Sequence, residues 1–453
     1  MKISFENPDK INGLMTIVVE EEDYKKLVDD KLKEYRRKAQ MPGFRPGNVP
    51  MSLIKRQYGS AVKVDEINKL LGQELYKYVK ENNIAMLGEP MPSEKQVPQD
   101  LEKEGPFEFI FDIAVAPEFS LTIDGNDEVT YYDIEVTDEM IDQQVEIFAS
   151  RNGHYENPEE YDAEKRDMLK GDIRQLDAEG NTLEGGITVA DAVLMPQYIK
   201  VDEQKALFEG AKLGDIITFN PKKAYPESDT EVAALLKMKK EEVADLTDDF
   251  SFQITEIQRY VSSEVNQELF DTVFGEGTVN SEEEFRSKIA EGLKVQLTGE
   301  ADFQFFADLR AYAEAKVGDL TFPEELLKRV MKNNNKDKDD SYVEENFAGS
   351  IRELKWHLIK EQLVAAHDIK VDEEEVKLTA REMARAQFAQ YGMNDVPDEY
   401  LDNYAQDLIK KEDYVNTIVD RTIDRKLTQV MKNVVKLGLK KVTFDDFRNI
   451  VKG

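Results

Sequence analysis

The residues with the clearest chemical character form the segment MPGFRPGNVP, residues 41–50, which sets Phe44 and Arg45 among glycines and prolines. Proline fixes its own φ and glycine permits tight bends, so this composition predicts a stiff loop tip and not a helix. A guanidinium can bind phosphate oxygens, and an aromatic ring can fill a pocket on a partner. The segment therefore predicts a contact with a polyanion or with a protein surface.

The charges around this tip are segregated from those of the rest of the chain. Residues 25–63 contain eleven Lys or Arg and three Asp or Glu, whereas the whole chain of 453 residues has a formal net charge of −33. The acidic balance argues against general binding to nucleic acid or anionic membrane, so a polyanion would be bound locally. The supporting basic residues would be Arg36, Arg37, Lys38, Lys55 and Arg56. The alternative is that this charge run is only the solvated face of a helix.

The sequence lacks the residues that several other kinds of functional site require. There is no cysteine, which excludes disulfides, thiolate metal sites and thiol nucleophiles. The three histidines, His154, His357 and His367, are too scattered in the sequence to suggest a metal site. We find no phosphate-binding glycine motif and no Ser-His-Asp arrangement. We therefore expect no metal and no cofactor.

The elements that must position the tip are two helices. Apolar residues recur every three or four positions from Glu21 to Gln40 and again from Leu53 to Val79, which predicts amphipathic helices on both sides of the tip. The N-terminal sequence MKISFENPDKINGLMTIVVE predicts a strand pair joined near PDKING, and the alternation in FEFIFDI, from Phe107, predicts another strand. The tip is therefore expected at the end of a helical hairpin.

The rest of the chain changes character near Tyr260. Before it, the stretches KGDIRQLD, LFEGAKLGDIITFN and FSFQITEIQRY predict short strands, with a hairpin turn at DAEGNT. After it, helical periodicity dominates, with a helix from Asp372 to about Tyr391 and a helical segment from Pro397 to Lys436 that contains a break. No 18 apolar residues run together and the N-terminus lacks the apolar run of a signal peptide, so we expect a cytoplasmic protein that does not bind membranes.

The tip carries a family resemblance. GFRPGNVP followed by IKRQYG resembles the ribosome-binding signature of the trigger factor family, matched at Gly43, Phe44, Arg45, Gly47 and Pro50, with Pro46 inside it and Asn48 where the family has lysine. The resemblance implies docking on the large ribosomal subunit near the polypeptide exit tunnel, with contacts to rRNA and protein. It also implies ATP-independent chaperoning of nascent and unfolded polypeptides, and a monomer–dimer equilibrium when free.

The middle and C-terminal segments extend this resemblance over nearly the whole chain. The Gly-Asp start, the Glu184-Gly185-Gly186 turn and the closing ITEI strand are similar to an FKBP-type prolyl isomerase, and FPEELL and LKWHLIKEQLVAAHDI match the family in order. The resemblance implies an elongated, multidomain α+β protein. Its parts would be an N-terminal α/β ribosome-binding domain (1–118), a β-rich FKBP-like domain (162–259) and an α-helical chaperone domain with arms (119–161 and 260–453).

The isomerase pocket that this resemblance implies is incompletely represented. Phe208, Phe219 and Tyr225 correspond to pocket aromatics, but Pro-Gly is absent before Phe208 and the opening strand lacks its aromatic residue. These three residues are either walls of a prolyl pocket or core aromatics, and the missing partners favour the core. We therefore predict weak or absent isomerase activity. The alternatives are an active prolyl isomerase with helical appendages, or an extracytoplasmic chaperone-isomerase, which the N-terminus disfavours.

Overall fold

The computed structural model describes residues 1–42, 44–45, 47–244, 246–393 and 396–452. The strands are β1 (Lys2–Glu6), β2 (Asn12–Val19), β3 (Met91–Pro92), β4 (Phe107–Ala114), β5 (Glu128–Ile134), β6 (His154–Glu156), β7 (Met168–Gln175), β8 (Thr188–Leu194), β9 (Ile216–Phe219), β10 (Phe250–Val261) and β11 (Lys436–Val442). The helices are α1 (Glu21–Lys38), α2 (Met51–Glu81), α3 (Asp138–Arg151), α4 (Asp202–Ala206), α5 (Pro221–Ala224), α6 (Asp229–Leu235), α7 (Lys240–Val243), α8 (Gln267–Phe274), α9 (Glu282–Val317), α10 (Glu324–Asn334), α11 (Asp340–Ala366), α12 (Glu373–Gln390), α13 (Asp398–Ile409), α14 (Glu412–Val434) and α15 (Phe444–Lys452).

The chain divides into two compact units, each built from two stretches of sequence. One unit comprises Met1–Tyr131 and Asp302–Lys440, and the other comprises Tyr132–Ala301 and Lys441–Gly453. Each unit has hydrophobic clusters of its own. In the described part of the chain, no helix combines the length and the apolar character needed to cross a bilayer.

In the first unit, the N-terminal residues form an antiparallel sheet in the order β1-β2-β4-β3. The predicted strand pair is confirmed, with Phe5 opposite Met15 across β1 and β2. One face of this sheet packs on α1 and α2, because the alternating residues of β2 and the helical stripe of α2 are both apolar. The buried residues that these elements share include Met15, Ile17, Tyr24, Ile67, Leu71 and Leu75.

The long helix α11 of the same unit has two apolar stripes that enter different clusters. Ile351, Leu354 and Leu358 pack in a cluster with Phe322 and Leu326. Ile359 and Leu363, together with Trp356, belong to another cluster that contains Phe305 and Leu309 of α9. Because its two apolar stripes are adjacent, α11 packs against both clusters at once.

The last helices of this unit confirm the predicted break and correct the predicted end. α13 stops at Ile409 and α14 begins at Glu412, so the segment from Pro397 is two helices. The helical segment was expected to end at Lys436, but α14 ends at Val434 and Lys436 is already the first residue of β11, which pairs with β5. Pairing with a strand far away in sequence overrides the weak helical pattern here.

The second unit contains a five-stranded sheet and a helical cluster. Strands run in the order β6-β10-β7-β8, and β9 also pairs with β10. The predicted turn at DAEGNT is present, with the Asp177 N–H donating to the Asn181 carbonyl and Gly180 at φ 84°. The helical cluster joins Val145 and Ala149 of α3 to Leu269 of α8 and Phe285 of α9.

Candidate functional site

The described residues between α1 and α2 form two hydrogen-bonded turns. The Phe44 N–H donates to the Met41 carbonyl at 3.1 Å, and the Asn48 N–H donates to the Arg45 carbonyl at 2.9 Å. Gly47 has φ 83°, a left-handed conformation that other residues adopt at a cost. Pro50 is the N-cap of α2, so the tip ends where the helix begins. Gly43 and Pro46, both predicted site residues, lie outside the described residues.

The two residues predicted to make contact lie at the surface. The Phe44 side chain is 41% exposed, which is high for a large apolar residue. Arg45 is exposed and forms no ion pair with any other described residue. An apolar ring that is exposed to water does not stabilise the fold. An exposed ring beside an unpaired guanidinium is suited to contact the surface of a partner.

The return of the tip into α2 is held by contacts that sequence reasoning missed. The Val49 side chain is fully buried among Leu32, Ile54 and Val62. Its carbonyl oxygen accepts a hydrogen bond from Nε of Arg36 at 2.8 Å. In the sequence Arg36 and Arg37 look alike, and only the position of α1 relative to Val49 distinguishes them.

The predicted basic residues separate into paired and unpaired groups. Lys55 forms an ion pair with Asp29, with 2.9 Å between Nζ and Oδ1, although it was predicted to support binding of the partner. Ion pairs with Glu34 and Asp30 raise the pKa of Lys31 and of Lys33. The exposed side chains near the tip without an ion pair in the described part of the chain are Arg37, Lys38, Arg45 and Arg56. A salt bridge at the surface is weak, so Lys55 can exchange Asp29 for a group on a partner. The four unpaired side chains can bind such a group without first breaking an ion pair.

All three candidate prolyl-pocket aromatics belong to the core cluster of the β-rich unit, where Tyr225 is 6% exposed. Phe208 is fully buried and Phe219 is 1% exposed. Their rings are 5.6 Å apart, and each also packs edge-on against Phe252 of β10. Edge-to-face rings at this spacing stabilise a core. The contacts of Phe208 and Phe219 are therefore those expected of core aromatics.

Tyr225, the third candidate, lines a pocket of about 460 Å³ whose walls exclude Phe208 and Phe219. Tyr198 and Met195 line the same pocket, as do Asp191 and Lys237. Burial raises the pKa of Tyr225 to about 12, so its hydroxyl remains protonated and able to donate a hydrogen bond. The pocket thus offers an apolar wall and the phenols of Tyr198 and Tyr225, without the ring of pocket aromatics expected of an FKBP-type isomerase.

Exposed apolar side chains in the helical part are the candidates for binding unfolded chains. Met383 and Phe388 of α12 are half-buried against α13, whereas Tyr391 is 74% exposed and Met393 is 47% exposed. Phe303 of α9 is also 74% exposed. The described residues contain no group of His, Cys, Asp or Glu that could hold a metal ion.

Comparison with family models gives three matches that together cover most of the chain. The model described as "Bacterial trigger factor protein (TF)" matches residues 1–148. "Probable trigger factor, FKBP-like domain" matches residues 155–262, and "Probable trigger factor, C-terminal domain" matches residues 301–451.

The similarity to individual relatives extends over most of the length of each relative. The chain is 25% identical to the trigger factor of Agathobacter rectalis over 443 residues, which covers 94% of this chain and 96% of that one. It is 25% identical to the trigger factor of Ectopseudomonas mendocina (85% of this chain, 86% of the relative) and 24% identical to that of Delftia acidovorans (98% and 99%). A solved structure titled "Promiscuous Substrate Recognition in Folding and Assembly Activities of the Trigger Factor Chaperone" has a TM-score of 0.50 at 15% identity, covering 95% of this chain and 98% of that one, and supports the fold.

Proposed function

This chain belongs to the trigger factor family of chaperones, and from that premise we propose that it docks through residues 41–50 on the large ribosomal subunit, near the exit of the polypeptide tunnel, and shields nascent chains there. The observation that carries the docking proposal is the tip itself. Phe44 is 41% exposed beside an exposed Arg45, on a hairpin end with unpaired cations, in a chain of net charge −33.

Charge and shape make different contributions to the affinity of docking. Cations that neutralise RNA phosphates release counterions, which favours binding and makes the affinity depend on salt. An aromatic ring and an arginine buried at the centre of an interface supply most of its specific affinity. Phe44 and Arg45 supply the specific contact at the centre of the interface. The charges of Arg37, Lys38, Arg45 and Arg56 supply the salt-dependent contribution.

The docking proposal is tested by replacing Phe44 and Arg45 with alanine and measuring co-sedimentation with ribosomes. We expect affinity to fall by about a thousandfold, because truncating two hot-spot residues at about 2 kcal/mol each removes about 4 kcal/mol. The matched control replaces Tyr76 and Lys80, an exposed ring and an exposed cation on the body of α2, and should bind normally. Unchanged sedimentation of the Phe44/Arg45 variant contradicts the proposal.

The chaperone activity is proposed to rest on exposed apolar side chains in the helical part, with no nucleotide. Methionine side chains adapt their shape to many partners and aromatic side chains supply apolar contact area, while the acidic surface around them opposes self-association. The test is suppression of aggregation when a chemically denatured protein is diluted into this chain without ATP. We expect the double variant Tyr391→Ser/Met393→Ser to suppress aggregation less, and Lys370→Ser, an exposed control, to behave as the unaltered chain.

A second candidate function, prolyl isomerisation, is favoured by the pocket beside Tyr225. Rotation about the prolyl bond has a barrier of roughly 20 kcal/mol, which an apolar pocket lowers by favouring the twisted amide. Because Phe208 and Phe219 are buried in the core, we propose that this activity is weak or absent. Turnover of a prolyl tetrapeptide at the rate of an ordinary FKBP would overturn this view and favour an enzyme with helical appendages.

The remaining proposals follow from the family. We propose a ribosome-binding domain at 1–118, an FKBP-like domain at 162–259, and a helical chaperone domain at 119–161 and 260–453. We also propose a cytoplasmic location and a monomer–dimer equilibrium of the free protein. Sedimentation velocity over a range of concentrations tests the last of these, and a single species at all concentrations contradicts it.

A further inference from the structure

One hydrogen bond connects α1 to the tip at the point where the chain turns back into α2. Arg36 is half-buried in the last turn of α1, and its Nε donates to the Val49 carbonyl at 2.8 Å. Arg37 follows it in the same turn but is exposed, and it has no ion pair within the described residues. Two neighbouring arginines therefore have different surroundings, one turned towards the protein and one towards water.

The bonded carbonyl lies at the base of the tip, on a residue that cannot move freely. The Val49 side chain is fully buried, and the Asn48 N–H next to it donates to the Arg45 carbonyl at 2.9 Å. The orientation of the Val49 peptide is thus linked through Asn48 to the backbone of Arg45. A partly buried carbonyl that loses a charged donor is costly to leave unpaired, so Arg36 favours one conformation of this return segment.

From these contacts we infer that Arg36 is a positioning residue that orients the tip, while Arg37, Lys38, Arg45 and Arg56 make the phosphate contacts. The inference rests on the proposed docking to the ribosome and divides its basic residues into two roles that the sequence does not separate. Arg36 acts through the backbone of residues 47–50, and its charge contributes little to counterion release.

This division of roles has a quantitative consequence for salt dependence. Each neutralised phosphate contributes about −0.7 to the slope of log affinity against log salt for single-stranded nucleic acid, and about −0.9 for a duplex. The four unpaired cations then give a slope of about −3 to −4. Removing one of the four lowers the magnitude of the slope by nearly one, whereas removing Arg36 leaves the slope unchanged.

The experiment compares Arg36→Met with Arg37→Met in the full chain. Methionine keeps an aliphatic stem but removes the charge and every donor, so the two variants differ only in the role of the lost guanidinium. Ribosome affinity is measured across a series of KCl concentrations. Hydrogen exchange at the Asn48 and Val49 amides of the free protein is measured in parallel, and thermal unfolding confirms that both variants fold.

We expect Arg36→Met to weaken binding by about tenfold at every salt concentration, with an unchanged slope and faster exchange at Asn48 and Val49. Arg37→Met should reduce the slope by about 0.7 to 0.9 and leave exchange unchanged. The inference is overturned if Arg36→Met leaves exchange unaltered, or if it reduces the slope as Arg37→Met does. If the unaltered chain does not bind ribosomes, the proposed function fails, while the exchange measurement still reports whether Arg36 orients the tip.

Discussion

Asp127 occupies the turn before β5, where it is only 7% exposed. The hydroxyl of Tyr312 and the ammonium of Lys316, both on α9, donate to its Oδ1, and the Asp124 N–H donates to its Oδ2 at 2.8 Å. Burial alone would raise the pKa of Asp127, but these donors outweigh it and lower the pKa to about 2. The ionised carboxylate therefore connects α9 to the turn.

This carboxylate should contribute to stability in a defined pH range. Its folded pKa lies below the ordinary value of 3.8, so its contribution is fully present above pH 3.8 and is lost as the pH falls through about 2. We expect Asp127→Asn to lower the free energy of unfolding by about 2 kcal/mol at neutral pH. Urea unfolding at several pH values should show this difference shrinking below pH 4.

The exposed carboxyl of Asp319 provides the comparison for this prediction. Asp319→Asn removes the same charge from the segment after α9 and should change stability little at any pH. A deficit of the Asp127 variant that is independent of pH down to pH 2 contradicts the proposed role of the ionised carboxylate.

At the scale of elements, α13 is held by one apolar face. Leu401 is 1% exposed and packs with Ala380 and Ala384 of α12 and Ile418 of α14. Tyr400, the residue before it, is 65% exposed. The helix therefore depends on a buried stripe, while its outer face is free for other contacts.

This asymmetry predicts different costs for neighbouring truncations. Leu401→Ala should destabilise the α12–α14 segment by about 2–5 kcal/mol, because it leaves a cavity in a packed cluster. Tyr400→Ala should cost less than about 0.5 kcal/mol. Hydrogen exchange of α12, α13 and α14 measures both changes locally, and equal effects would show that α13 is not packed as described.

The elements that the sequence predicts well are those whose signals are local. The helices around the tip follow from periodicity and turn residues, which act within a few positions. A break within the segment from Pro397 was also predicted, but only the structure locates it between Ile409 and Glu412. β11 was missed because its pairing with β5 is a property of two distant segments, which the KLGLKKV sequence alone does not indicate. The separate roles of Arg36 and Arg37 were missed for the same reason, since the Val49 carbonyl lies 13 residues from Arg36.

At the scale of the whole molecule, the two compact units have cores made of different residues. Phe219 belongs to the core of the β-rich sheet in one unit, and Leu309 of α9 belongs to a helical core in the other. Both side chains are at most 1% exposed. Separate cores can unfold in separate transitions, which departs from two-state behaviour.

We therefore predict that calorimetry resolves more than one unfolding transition. Phe219→Ala and Leu309→Ala should each remove about 2–5 kcal/mol, but from different transitions. The variant with both changes should lower both transitions, each by the amount seen in the single variants. A single transition that both changes shift equally would mean that the two cores unfold together.

The pairing of β5 with β11 also bears on the order in which this chain acquires its structure during translation. Lys436 forms its ion pair with Glu128 across 308 residues of sequence. At a synthesis rate of about 5–20 residues per second, β5 leaves the ribosome roughly 15 seconds or more before its strand partner exists. A protein that we propose to shield other nascent polypeptides is therefore itself incompletely paired during this interval. Until β11 is synthesised, the edge of β5 has no strand partner, and an unpaired edge can pair with another chain.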